Sequence, residues 1–290
     1  MAKAKQRTVK HAEHIAGIAL HTGDRVKLTL KPGAVDTGIV FRRLDRAGAP
    51  HVQAHIKNVV DTARGTTIAE GDTAVHTVEH LLAAFNAFGV DNAVVEMTGP
   101  EPPVGDGSAL PFVEMLQRSG TVTQEAPKRF ITVKEPLFYE KDGTKIMAVP
   151  GREFRISCSV KYDSTPRDCQ YQSLRVDRKS FIDELCRART FCLFHEIEAL
   201  IKANLICGGS LDNAVVIKGD AILSKEGLRY QDEFVRHKIL DIVGDYYLLG
   251  ARLRGQIIAI KPGHPSNVEM ARMILRQQEK TVISKTQISE

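Results

Sequence analysis

The chain has 290 residues, of which 43% are hydrophobic and 26% charged, and its formal net charge is +5. These values are those of a soluble globular protein of about two domains, and they exclude a disordered chain. The sequence has no apolar run of roughly 18 residues that could span a membrane, no secretory signal, and no stripe of basic and aromatic residues for nucleic acid.

The first part of the chain is predicted to mix strands with two helices. Alternating residues predict strands at 26–30 and 37–42, separated by a turn at 31–33. Apolar residues at helical spacing predict a helix at 73–88, which Gly89 closes. An apolar strand at 92–97, a turn rich in proline and glycine, and a short helix at 110–118 follow.

The apolar rhythm is lost between residues 119 and 130, and we place a domain boundary there, giving domains 1–125 and 126–290. Strands are predicted at 131–140, 145–150, 153–160, 214–218 and 256–261, and helices at 179–188, 195–203, 232–249 and 268–279. Each half has a helix closed by glycine (Gly89 and Gly250), an apolar strand and a further helix. This similarity indicates a weak internal duplication of an α+β unit.

Two residues on the helix 232–249 could bind a metal. His237 and Asp241 lie four positions apart, so their side chains can reach one point in space. A neutral imidazole and a carboxylate are suitable zinc ligands. For an isolated pair of this kind, a solvated helix face is the more common explanation.

A second helix strengthens the prediction of a metal site. The helix 73–88 carries the sequence HTVEH, in which Glu79 precedes His80. A catalytic zinc keeps three protein ligands and an open position, and a nearby carboxylate can take a proton from water. We therefore expect His80, His237 and Asp241 to hold one zinc ion, with Glu79 as the base. Such ligands also suit other divalent metals, such as Fe(II).

Two alternatives remain open at this point. HTVEH also fits the H-x-x-E-H pattern of inverzincin metallopeptidases, in which His76 and His80 would bind zinc and Glu79 would be the base. A non-enzymatic basic protein with a structural zinc is the other alternative. A structural site usually includes cysteine, and the five cysteines all lie between residues 158 and 207. Their odd number and their lack of a C-x-x-C pair indicate reduced thiols in a cytoplasmic protein.

Seven segments resemble the zinc-dependent UDP-3-O-acyl-N-acetylglucosamine deacetylases of lipid A biosynthesis, in the order that the family has them. They are GIALHTG (17–23), TVEHLLAAFNAFGVDNAVVE (77–96), DGSALPF (106–112), RTF (189–191), GGSLDNAVV (208–216), EFVRHKILDIVGD (233–245) and IKPGH (260–264). The resemblance implies hydrolysis of the acetamide of a UDP-linked 3-O-acyl glucosamine, the committed step of lipid A biosynthesis.

The resemblance also implies roles for individual residues. The zinc ligands are His80, His237 and Asp241, the base is Glu79, and His76 is not a ligand. Further catalytic roles fall on His264, which would protonate the leaving amine, Asp245, which would orient His264, and Lys238 and Thr190, which would bind the oxyanion. Substrate contacts fall on Lys261 for the diphosphate, Tyr162 for uracil, and Phe191, Ile197 and Leu200 near the acyl chain.

The family's fold is two similar α+β domains with helices packed on a sheet, an insert in each domain, and the active site in the cleft between them. The second insert, about 191–214 here, forms a passage for the acyl chain. The resemblance implies one zinc ion and a UDP-linked acylated amino sugar as substrate. We expect no nucleic acid partner and favour a monomer, although the sequence does not determine the oligomeric state. In one departure, Gly65 stands where many members carry a cysteine, which puts a second, inhibitory zinc in doubt.

Overall fold

Two five-stranded arrangements with the same strand order organise the chain, in a computed structural model that describes residues 4–161 and 169–288 (side chains to 280). The first half contains β1 (Lys5–Val9), β2 (Glu13–Ile18), β3 (Arg25–Pro32), β4 (Ile39–Arg43), β5 (His51–Gln53), β6 (Val59–Asp61), β7 (Thr67–Glu70), β8 (Thr73–Val75), α1 (Glu79–Phe88), β9 (Ala93–Met97), α2 (Leu110–Ser119) and β10 (Thr121–Pro127). Its main sheet has the order β2-β3-β9-β4-β5.

The second half repeats this arrangement. It contains β11 (Phe130–Thr132), β12 (Leu137–Lys141), β13 (Thr144–Val149), β14 (Phe154–Lys161), β15 (Cys169–Arg175), α3 (Arg178–Ser180), β16 (Phe191–Leu193), α4 (Ile197–Lys202), β17 (Val215–Lys218), β18 (Ala221–Leu223), α5 (Glu233–Asp245), β19 (Arg252–Ile260) and α6 (His264–Ile288). The strand order is β12-β13-β19-β14-β15, with β11 beside β19. In both halves the strand after the long helix pairs in parallel with an earlier strand, β9 with β4 and β19 with β14.

The expected fold class, two similar α+β units, is confirmed by this repeated topology. The duplication indicated by Gly89 and Gly250 is likewise visible, because both glycines cap a helix with φ near +70° (66° and 71°), a conformation that suits glycine. The predicted boundary at 125/126 falls within β10, which pairs with β1, and it stays a prediction.

The core lies between the sheets, where the helices pack. Strands alternate buried and exposed residues, as in β19, because one sheet face is covered and the other meets solvent. Helices α5 and α6 pack on the second sheet, and α1 packs along α5. No helix in residues 4–161 and 169–288 is both long and apolar enough to cross a bilayer.

The predicted helix at 73–88 is wrong in its first part. Residues 73–75 form β8, which pairs with β7, and the helix begins at Glu79. β-Branched Thr73 and Val75 favour the strand, and Thr77 has a φ of 53°, which no right-handed helix accommodates. Val75 and Val78 are three positions apart, as residues on one face of a helix would be, and this spacing led to the wrong prediction.

Other boundaries differ by smaller amounts. The strand predicted at 256–261 begins at Arg252, and the helix predicted at 268–279 spans His264–Ile288. The turn predicted at 31–33 starts later, because β3 continues to Pro32. The helix predicted at 179–188 is a short α-helical turn followed by a π-helical turn at Phe181–Leu185.

Candidate metal centre and active site

Helices α1 and α5 pack along each other, and at Gly244 their backbones are in direct contact. A Cβ on Gly244 would overlap the backbone carbonyl of Glu79, with the carbonyl carbon at 2.7 Å. Glycine therefore allows the start of α1 to lie directly on α5. The α5 face that carries His237 and Asp241 is buried for this reason, with both residues no more than 2% exposed, and the alternative of a solvated helix face is wrong.

Three side chains from these helices converge on one point. The ligand atoms of His80, His237 and Asp241 all lie within 4.8 Å of one another. The Oδ1 atom of Asp241 is 3.4 Å from Nε2 of His237 and 3.7 Å from Nε2 of His80. The two imidazole rings are nearly perpendicular, with centroids 5.0 Å apart. The structure thus brings together the three residues that the sequence predicted as ligands.

His237 is neutral and has one ring nitrogen free to bind a metal. Its Nδ1 lies 3.0 Å from the carbonyl oxygen of Ala188, which can only accept a hydrogen bond, so Nδ1 carries the proton. The other nitrogen, Nε2, then presents its lone pair toward Asp241. Burial lowers the pKa of His237 to about 3, so the ring is uncharged at neutral pH.

The ionised carboxylate of Asp241, with one oxygen buried and unpartnered among the described residues, favours a bound cation at this point. Burial opposes its ionisation, but nearby Lys238, His237 and His264 hold its pKa well below the usual value. Oδ2 accepts a hydrogen bond from Nζ of Lys238 at 2.9 Å. Oδ1 is buried and has no hydrogen-bond partner in the described part of the chain. An ionised oxygen buried without a partner is costly unless a cation binds it, so the two imidazoles and this carboxylate fit a divalent metal.

Glu79 lies beside this cluster and is 2% exposed. Its Oε2 accepts a hydrogen bond from the backbone N–H of Thr66 at 3.0 Å, and Oε1 lies 3.8 Å from Nε2 of His264. Burial raises the pKa of Glu79 above its ordinary value. A carboxylate with a raised pKa is a stronger proton acceptor, as a general base requires.

His264 is held in its protonated form. Its Nδ1 lies 3.0 Å from Oδ2 of Asp245. Burial by itself opposes the charge, but Asp245, Glu79 and Asp241 outweigh it and raise the pKa of His264 to about 9. At neutral pH the imidazolium can therefore donate a proton from Nε2.

Asp245 is oriented by two residues that the sequence analysis did not single out. Thr66 donates its hydroxyl to Oδ1 at 2.6 Å, and Asn267 donates its amide to Oδ2 at 2.8 Å. Thr66 also donates its backbone N–H to Glu79, so one threonine contacts both Glu79 and the carboxylate that pairs with His264. A threonine and an asparagine carry no sequence signal for this role, because they act from a loop and from α6.

A cavity of about 290 Å³ opens onto the candidate metal centre. Lys238, Thr190 and Phe191 line it together with the metal cluster, Glu79 and His264. The Nζ atom of Lys238 is 5.3 Å from the Phe191 ring centroid, and the backbone N–H of Thr190 donates to Gly107 O at 2.8 Å. These three residues therefore border the space in which a substrate carbonyl could lie.

A second cavity of about 280 Å³ adjoins the first and is mostly apolar. Ile197 and Leu200 line it, as predicted for the acyl-chain passage. Four residues line both cavities: Leu20, Arg64, Thr190 and Phe191. An acyl chain that occupies the second cavity would therefore have one end beside the candidate metal centre.

Three residues that the sequence predicted for the site, or kept as an alternative, lie elsewhere or are not described. His76 is in the turn before α1, with Nδ1 3.0 Å from the hydroxyl of Thr67, outside the metal cluster. Lys261 follows β19 and donates its backbone N–H to Ser159 O at 2.8 Å, without lining the site cavity. Tyr162 lies outside the described residues.

Gly65 lies against the predicted base. A Cβ at this position would stand 3.2 Å from Oε1 of Glu79 and 3.2 Å from the hydroxyl of Thr77. A side chain here would therefore crowd the carboxylate, and glycine leaves that oxygen open to the cavity.

Comparisons with known proteins agree across the chain. A family model, LpxC: UDP-3-O-acyl N-acetylglycosamine deacetylase, matches residues 6–276. A UDP-3-O-acyl-N-acetylglucosamine deacetylase of Teredinibacter turnerae is 45% identical over 278 residues, covering 95% of this chain and 91% of that protein. Its counterpart in Nitrosococcus oceani is 46% identical over 265 residues, covering 91% and 87%.

Proposed function

The chain belongs to the UDP-3-O-acyl N-acetylglycosamine deacetylase family, and from this premise we propose how its own residues carry out the reaction. The enzyme hydrolyses the acetamide of UDP-3-O-acyl-N-acetylglucosamine to the free amine and acetate, a step of lipid A biosynthesis. The metallopeptidase alternative is not favoured, because the chain belongs to the deacetylase family and His76 lies outside the metal cluster. Membership of an enzyme family likewise argues against the non-enzymatic alternative.

The observation that carries the mechanism is the convergence of His80, His237 and Asp241 beside Glu79 and His264. We propose that the first three residues hold one zinc ion. A zinc ion held there would supply Lewis acidity to the amide carbonyl and to water, which is the chemistry that amide hydrolysis needs.

Glu79 takes the proton from the attacking water. Its carboxylate is fixed by Thr66, and its raised pKa makes it a better base than an exposed glutamate. Lys238 and Thr190 border the cavity on the side of α5 and β16, and they donate to the oxygen on which negative charge develops. Fixed donors of this kind contribute about 3 kcal/mol each in measured cases.

His264 gives its proton to the departing amine. The pKa of about 9 keeps the ring charged at neutral pH, and the hydrogen bond from Nδ1 to Asp245 leaves Nε2 as the donor toward the cavity. Glu79 and His264 thus divide the work: one removes a proton from water and the other supplies a proton to nitrogen.

The acyl chain occupies the apolar cavity lined by Phe191, Ile197 and Leu200, within the second insert at about 191–214. Lys261 meets the diphosphate and Tyr162 the uracil. The enzyme acts in the cytoplasm. The nucleotide-linked substrate supports the cytoplasmic location, as do five free cysteines, three of them not fully buried.

The test is a deacetylase assay on UDP-3-O-acyl-N-acetylglucosamine with zinc-loaded protein and with protein freed of metal. The proposal requires acetate release by the loaded protein and its loss on metal removal, with return when zinc is added back. Activity that is indifferent to chelation would contradict it.

A further inference from the structure

A buried ion pair joins the segment before β16 to the first residue of α5, the helix that carries His237 and Asp241. Arg189 is 1% exposed and Glu233 is 0% exposed. The guanidinium binds the carboxylate through two atoms, Nε to Oε1 at 2.8 Å and Nη2 to Oε2 at 3.1 Å. Such pairs seldom contribute net stability relative to apolar residues of the same size, because both charges lose their hydration. The pair therefore calls for an explanation other than stability.

The carboxylate of Glu233 collects two further donors from the backbone. The N–H of Arg189 donates to Oε1 at 3.0 Å, and the N–H of Arg229 donates to Oε2 at 2.7 Å. Because Glu233 is the first residue of α5, the three bonds from Arg189 attach the segment 188–190 to the start of the helix that carries His237 and Asp241. The helix N-terminus also favours a negative charge.

The attached segment contributes two groups to the site. Ala188, one residue before Arg189, offers its carbonyl oxygen to Nδ1 of His237. Thr190, one residue after it, lines the site cavity. Both groups lie on the backbone that the ion pair fixes, and both would move if this backbone moved relative to α5.

The same network reaches the first half of the chain. Nη1 of Arg229 donates to Asp106 at 2.6 Å, and Thr190 N–H donates to the carbonyl of Gly107. A Cβ on Gly107 would overlap the carbonyl of Asn213 and stand 3.4 Å from the methyl group of Thr190, so the turn at 106–108 is packed closely against both residues. The ion pair is thus connected through Arg229 and Thr190 to the turn at 106–108 in the first half of the chain.

We infer that Arg189 and Glu233 are positioning residues, whose buried pair sets the tautomer of His237 through the Ala188 carbonyl and the place of Thr190 at the cavity. The inference rests on the proposed function, because it assumes that His237 binds the metal. Partners that orient a ligand in this way typically change metal affinity or activity by about 10- to 100-fold when altered.

The test compares two double variants of the full chain. Arg189→Met/Glu233→Leu replaces the pair by apolar side chains of similar volume, a change that is often tolerated for an ion pair, and it also removes the acceptor of the Arg189 and Arg229 backbone N–H groups. Lys128→Met/Asp91→Leu is the matched control, because this pair is also largely buried (7% and 14% exposed side chains) and lies beside Gly89 at the far end of α1. Zinc affinity is measured by competition with a chelator, alongside the melting temperature.

We expect the first double variant to bind zinc about 10- to 100-fold more weakly than the unaltered protein, with kcat reduced and KM little changed, whereas the control keeps its zinc affinity. An unchanged zinc affinity, or an equal loss in the control, would overturn the inference. If the first variant does not fold, Glu233→Gln decides in its place: weaker zinc binding supports the inference, and unchanged binding overturns it. Failure of the unaltered protein to bind zinc would instead contradict the proposed function.

Discussion

The carbonyl of Glu79 lies against Gly244, so closely that a Cβ on the glycine would stand 2.9 Å from the Cα of Glu79. This contact joins the helix of the predicted base to the helix of two predicted ligands. It places Glu79 beside Asp241 and Asp245, both of which lie within one helical turn of Gly244 on α5. The site exists because the backbones of the two helices are in direct contact.

Gly244→Ala should therefore reduce both stability and activity. Alanine within a helix normally stabilises relative to glycine by about 0.5–1 kcal/mol, but here its methyl group forces α1 away from α5. Overpacking of this kind costs about 1–3 kcal/mol, and the displaced Glu79 loses its alignment. Thermal unfolding and kcat are the measurements. A stabilised variant with unaltered kcat would show that the contact does not hold the site.

Glu79→Gln should retain zinc and lose most of its activity. The amide keeps the size of the side chain and can still accept from Thr66, but it cannot take a proton from water. We expect kcat to fall by about 10²- to 10⁴-fold, the usual contribution of a general base. Glu96→Gln is the control, since this carboxylate pairs with Lys31 on the first sheet, away from the site. Near-normal kcat in Glu79→Gln would assign the base elsewhere.

His264 should titrate near pH 9 in protein freed of metal. Its pKa is raised from an ordinary value of 6.5 mainly by Asp245 against the opposing effect of burial, so the ring is charged below about pH 9 and loses its proton above it. Asp245→Asn removes the negative partner, and the titration should move to lower pH. Imidazole NMR resonances across pH 5 to 10 report this directly. A midpoint near 6.5 in the unaltered protein would contradict the arrangement.

Narrowing the apolar cavity should discriminate between substrates by chain length. Leu200→Trp places a larger side chain in the wall of the cavity that Phe191 and Ile197 also line. We expect kcat/KM for a long-chain substrate to fall by at least about 10-fold, whereas a substrate with a short acyl group keeps its rate. Leu223→Trp, at an exposed position on β18 outside the cavity, is the control. Equal losses for both substrates would mean that the acyl chain lies elsewhere.

The cluster of His80, His237 and Asp241 could be predicted from the sequence, because these ligand-type residues stand on two predicted helices, in HTVEH and VRHKILD. The burial of these residues could not be predicted, because the polar residues on this face of α5 are typical of a solvated helix face. Only the tertiary structure shows that α1 covers this face at Gly244. The sequence predicted the central strands β13, β14 and β19 of the second sheet, but it missed β15 and joined β11 and β12 into one strand at 131–140. The short strands β6–β8 escaped prediction, because three or four residues carry too little periodicity to separate a strand from the first turn of a helix.

The supporting residues could not have been found from one sequence. Thr66 holds both Glu79 and Asp245 from a loop, and Asn267 holds Asp245 from α6. Ala188 acts through its carbonyl oxygen, so its side chain gives no signal at all. Contacts made by backbone atoms and by common polar residues depend on tertiary placement, which spacing along the chain does not encode.

The most direct test of the metal centre is the zinc content of four purified proteins, the unaltered chain and the variants His76→Ala, His237→Ala and Asp241→Ala, after dialysis against buffer. The geometry predicts about one zinc per chain in the unaltered protein and in His76→Ala, and loss of most of the metal in the other two variants. Zinc retained by His237→Ala and Asp241→Ala but lost by His76→Ala would contradict the account and move the metal to the turn before α1.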